Sequence, residues 1–134
     1  MTLFEAPVEL IALFGATLVV FASIVAQAVV MDLRSGVPYA LSARAEPPPR
    51  AAPIDGRLAR NVRNQIEGLA MFAPLVLIAT SLELSNDLTR TASVAFVAAR
   101  ALFALAYGLD LVPWRSIAWI AGLIATIAFG VGLI

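Results

Sequence analysis

The sequence predicts an all-α integral membrane protein, a bundle of four transmembrane helices. Three observations carry that prediction. Of 134 residues, 61% are hydrophobic and only 13% charged, with a mean hydropathy of +0.93, which does not describe a soluble surface. The apolar residues gather into four stretches of roughly spanning length. Polar segments rich in Arg, Pro and Asp separate them.

The first span covers about residues 8–31, with an apolar run from Leu10 to Met31 broken strongly only by Gln27. Ala26-Gln27-Ala28 has the small-residue look of a signal cleavage site. The preceding segment carries Glu5 and Glu9 instead of the Lys or Arg such a signal needs, so the run is expected to remain as a helix. Residues 32–56 then read as a loop, because Arg34, Arg44, Glu46, Pro47, Pro48, Pro49, Arg50, Pro53 and Asp55 break every apolar run.

The second span, about 57–83, would be short if only Gly68 to Leu82 were counted. A helix beginning near Asp55, with its first turns in solvent, has the needed length, and Pro74 inside it is a site for a kink. The third span covers about 88–109 and contains Arg100. The fourth covers about 113–134 and opens with Pro113-Trp114-Arg115, a helix-starting proline, an interfacial aromatic and a cation.

All nine basic residues are Arg, matched by nine acidic ones, so no basic field points to nucleic acid. Seven Arg (34, 44, 50, 57, 60, 63 and 115) fall in or beside the first and third loops, against Arg90 on the other side. That bias predicts both loops in the cytoplasm and both termini outside, where Glu5 and Glu9 meet water. With no Cys and no His, thiol nucleophiles, disulfides, zinc sites and histidine bases are excluded, and no metal site is expected.

At 100° per residue, Arg57, Arg60, Asn64 and Glu67 share an arc of roughly 80°, widened to about 120° by Arg63. A solvated helix end explains part of this stripe. Glu67, however, directly precedes the apolar run, and Arg100 lies roughly 15 Å from the end of the third span, where an ionised Arg costs about 2.5–3.5 kcal/mol. Similar depths suggest a buried Glu67–Arg100 pair, structural or lining a ligand cavity. Phe96, Arg100, Phe103 and Tyr107 share one face of the third span, an arrangement that packing alone would explain. Small residues on the spans and ionised groups in a thin bundle predict self-association.

The run Arg57-Leu58-Ala59-Arg60-Asn61-Val62-Arg63-Asn64-Gln65-Ile66-Glu67, ahead of an apolar helix, resembles the R-x-x-R-x-x-x-N-x-x-E hallmark of the MAPEG family, membrane-associated proteins in eicosanoid and glutathione metabolism. The resemblance extends through Arg100, Tyr107, Arg115-Ser116 and Gly122. The loop from Tyr39 to Pro49 is similar to that of bacterial members. Phe103 stands where several relatives have His, and Ala70 where many have Pro.

The resemblance implies a homotrimer in a bacterial inner membrane, with glutathione as thiol co-substrate in clefts near the cytoplasmic face. Arg34, Arg60, Arg63, Asn64, Glu67, Arg100 and Tyr107 would hold it, and Arg115 and Ser116 would act on its sulfur. The implied function is a transferase or peroxidase in which the thiolate attacks a small apolar electrophile or hydroperoxide. The alternative is a non-catalytic binding or scaffold protein of the same fold. Proton-coupled export is disfavoured, because Glu9 lies at the edge of the first span and no carboxylate lies within it.

Overall fold

The computed structural model describes residue 2 and residues 5–134. Among them are five helices and no strand: α1 (Val8–Ser35), α2 (Val37–Ala40), α3 (Pro53–Ser81), α4 (Asp87–Gly108) and α5 (Val112–Val131). All but α2 are long and apolar enough to cross a membrane. The single turn of α2 follows Gly36, whose φ of 85° is left-handed backbone suited to glycine.

Local chemistry sets the helix boundaries. Pro53 occupies the first position of α3, and the Asp55 carboxylate accepts the Ala52 amide at 2.7 Å, so the helix begins upstream of Asp55. It then runs unbroken through Pro74. Asn86 caps α4, with Oδ1 accepting the amides of Leu88 and Thr89 while Thr89 Oγ1 accepts that of Asn86.

The two tight turns share one closing motif. After α3, Glu83 takes φ 54° while Leu84 N–H reaches Ala79 O at 2.9 Å. After α4, Asp110 takes φ 59° while Leu111 N–H reaches Ala106 O at 2.8 Å. The Asp110 carboxylate also meets Arg57 Nη1 at 3.2 Å, tying the second turn to the start of α3.

Near the turn at 82–86 the core is apolar. Phe72 stacks on Phe96 with centroids 4.0 Å apart and meets Phe129 edge-on at 5.3 Å, enclosed by Ala16, Val76, Ala79, Ala92 and Ala125. Alanines let the helices approach closely. The outward faces carry Phe14, Phe21, Leu105 and Ile124, exposed on the single chain, as an integral membrane protein requires.

Glu9 departs from expectation. It is not in water at the end of α1 but 2% exposed beneath the start of α4, its Oε1 accepting from Thr89 Oγ1 at 2.6 Å and Ser85 Oγ at 2.9 Å. The cap of α4 folds over α1, a tertiary contact that span counting does not reveal.

Phe72→Ala is expected to cost about 3–5 kcal/mol, read as a lower unfolding midpoint in detergent. Glu83→Gly is expected to raise that midpoint, since relief of a left-handed side-chain residue is worth about 1 kcal/mol. In Asp110→Gly the gain is expected to be smaller, because the Arg57 contact is lost with it.

Candidate functional site

Toward the opposite end the core turns polar, around Arg100 of α4. Its side chain is only 4% exposed. Nε donates to Gln65 Oε1 at 2.9 Å, and Nη2 donates to Asn64 O at 2.8 Å and Asn64 Oδ1 at 3.0 Å. Gln65 Nε2 returns a bond to the Arg100 carbonyl at 2.9 Å, locking α3 to α4 by both side chain and backbone. The space comes from Gly68, where a Cβ would stand 3.0 Å from Arg100 Cζ and push the guanidinium away.

The expected Glu67–Arg100 contact is therefore replaced. Arg100 is satisfied by neutral amides two and three residues earlier on α3, those of Gln65 and Asn64, whereas the Glu67 side chain is 59% exposed and lies 4.0 Å from Arg63 Nε. Position along a span says nothing of direction around the helix. Residues 65 and 67 differ by 200° around the helix, and Gln65 faces inward.

Aromatic rings extend the network toward α5. The Arg100 guanidinium lies 4.9 Å from the Phe103 ring centre, Phe103 and Tyr107 have centroids 4.9 Å apart, and Arg115 sits over Tyr107 at 4.8 Å. This run of cation, ring, ring and cation holds Arg115, which has no ion pair among the described residues. Phe103 fits its middle because an apolar ring is buried there at no hydrogen-bonding cost.

Two cavities flank the run. The outer, about 250 Å³, is lined by Asn64, Phe103, Tyr107, Arg115, Ser116, Trp119 and Ile120. The inner, about 140 Å³, is bounded by Asn64, Glu67, Gly68 and Arg100 on its polar side and Met71, Phe96 and Leu123 on its apolar side; Asn64 and Trp119 line both.

Of the site residues read from the sequence, Asn64, Tyr107, Arg115 and Ser116 come together in the outer cavity, and Glu67 and Arg100 in the inner one. Arg60 and Arg63 are exposed and line neither. Arg34 stands apart, donating to Arg50 O at 3.0 Å with Asp55 Oδ2 3.7 Å from its Nε. Gln65, Gly68 and Trp119 were not singled out by sequence. Gln65 and Gly68 each fall within the hallmark segment or directly after it, and Trp119 follows Arg115 by one turn, a spacing that would have placed it on the same face.

Among the described residues no cluster of acidic side chains forms a metal site. The outer cavity instead offers a guanidinium, two hydroxyls and an amide, a set suited to an anionic or thiolate ligand. Gln65→Leu is expected to cost about 1.5–3 kcal/mol by stripping Arg100 Nε of its acceptor, measured as a lower midpoint in detergent unfolding.

Comparison with known families agrees with the hallmark segment and with the four-helix architecture. No curated protein and no solved structure matches the chain significantly. The profile described as "MAPEG family" matches residues 10–134, nearly the whole length, and the chain is a member of that family.

Proposed function

We propose that this protein is a glutathione-dependent membrane transferase or peroxidase acting on small apolar electrophiles or hydroperoxides. The observation that carries the reading is the convergence of Arg115, Ser116, Tyr107 and Asn64 on one cavity at the start of α5. Family membership supports a role in glutathione or eicosanoid metabolism and leaves the reaction open.

Bound glutathione would supply the sulfur: its thiol proton passes to water, and the thiolate pair forms the bond to carbon or to peroxide oxygen as the leaving group departs. The chain's residues set the conditions. Arg115, held over Tyr107, favours the thiolate over a thiol with an ordinary pKa near 8.5, and the Ser116 hydroxyl donates to it. Asn64 and Tyr107 hold the tripeptide. Arg60, Arg63 and Glu67 meet its charged ends from the rim, with Arg34 reaching the same ligand from the end of a neighbouring α1, and Arg100 positions Asn64.

In this reading the cleft is completed by neighbouring subunits of a homotrimer, and the Arg-rich end faces the cytoplasm of a bacterial inner membrane. Apolar substrates arrive through the bilayer.

Millimolar glutathione is expected to raise the unfolding midpoint of the detergent-purified protein, and to do so less in Glu67→Ala. Arg115→Ala is expected to lower turnover roughly 10²-fold or more while changing the glutathione-induced shift much less. No shift in the unmodified protein would favour a scaffold without turnover. Undiminished turnover in Arg115→Ala would remove the residue from the chemistry.

A further inference from the structure

A groove independent of the thiol site runs along the outer seam between α1 and α4, where it meets the start of α3. We infer that it is a phospholipid site, seating one acyl chain against α1 and α4 and taking the ester carbonyl of that chain on the Asn61 amide. Its volume is about 380 Å³, and its walls include Val19, Ala22 and Ala26 of α1 and Ala101, Ala104 and Gly108 of α4. At the roughly 30 Å³ that a water-sized group fills, it has room for about a dozen, the bulk of one acyl chain.

Asn61, at the floor of the groove, supplies the polar anchor. It is 3% exposed, and its Oδ1 accepts from Gln65 Nε2 at 3.4 Å, while its Nδ2 makes no hydrogen bond among the described residues. The Ser23 hydroxyl in the same wall is spent on Val19 O at 2.8 Å. An amide donor without an acceptor is costly in an apolar wall, and more so in a bilayer, where no water replaces the missing partner.

Depth identifies the acceptor. Asn61 lies four residues, about 6 Å, inward of Arg57 along α3. That is about the thickness of the polar layer on each side of the hydrocarbon, so an ester carbonyl is at hand. The Arg57 guanidinium meets the Asp110 carboxylate at 3.2 Å, and this pair carries no net charge that would select an anionic head group.

A neighbouring helix fits the groove poorly. It is about 10 Å across and keeps its backbone carbonyls bonded internally, so it would neither enter a furrow of this volume nor satisfy the amide through its main chain. An acyl ester does both. Farther along the same seam a second apolar furrow, of about 400 Å³, is lined by Ile11, Gly15, Val94 and Val97, and continues the path for the end of the acyl chain.

Native mass spectrometry of the detergent-purified protein tests the site with dioleoyl phosphatidylcholine and its dialkyl ether counterpart, which has the same head group and chain length but no ester carbonyl. The unmodified protein is expected to retain the diester roughly fivefold better than the diether, the size of one neutral hydrogen bond. In Asn61→Leu that preference is expected to vanish. In Gly108→Leu both lipids are expected to be lost from the first bound position, because the side chain fills the groove. An added Cβ at Gly108 meets nothing within 4 Å, so this variant keeps the fold and carries the test if Asn61→Leu does not fold.

Equal retention of diester and diether by the unmodified protein overturns the proposal, as does a preference that survives in Asn61→Leu. Unchanged retention in Gly108→Leu places the bound lipid elsewhere on the surface and rejects this site. Loss of assembly in place of lipid in Gly108→Leu makes the seam a contact between copies of the protein, and likewise rejects it.

Discussion

A guanidinium with no ion pair among the described residues, carried into the apolar part of a helix bundle, is the constraint on which the polar half of this protein depends. Arg100 has to be solvated by the protein itself, and that requirement fixes several choices at once. Residue 65 must offer an acceptor, residue 68 must lack a Cβ, and α3 and α4 must keep one axial register. The same placement sets Phe103 against Arg100 and so begins the stack that ends on Arg115.

The bundle is thus divided along its length. Near the turn at 82–86, three phenylalanines and a collar of alanines make a closely packed core, with the buried Glu9 carboxylate held by Thr89 and Ser85 beside it and Asn86 Nδ2 donating to Gly132 O at 2.8 Å. At the other end polar side chains occupy the space between helices and leave room beside them. A rigid end supports an open one, an arrangement that lets a site keep its geometry while remaining accessible.

Much of this was legible in the sequence. Hydropathy gave four spans, because only apolar runs of sufficient length survive in a bilayer, and helical spacing put Phe96, Arg100, Phe103 and Tyr107 on one face. The partner of Arg100 was not legible. Counting residues from a span's end measures depth and says nothing about rotation, and the instinct to match charge with charge favoured Glu67 over a neutral Gln65. Glu9 was missed for a related reason: a carboxylate at a helix start looks solvated until the next connection folds over it. Trp119 reads as one more interfacial aromatic unless the face of α5 is already known.

The pairing of α3 with α4 also bears on how the chain enters the membrane. Presented alone to the insertion machinery, α4 carries a penalty of about 2.5–3.5 kcal/mol for one central arginine. The groups that relieve it, Asn64 and Gln65, belong to the preceding helix and are separated from α4 by a connection of a few residues. Biogenesis is cheapest when the two helices leave the translocon as a hairpin, with the arginine already wrapped by its neighbour. A lesion in α3 at residue 65 or 68 would then act on delivery to the bilayer before it acts on any finished fold.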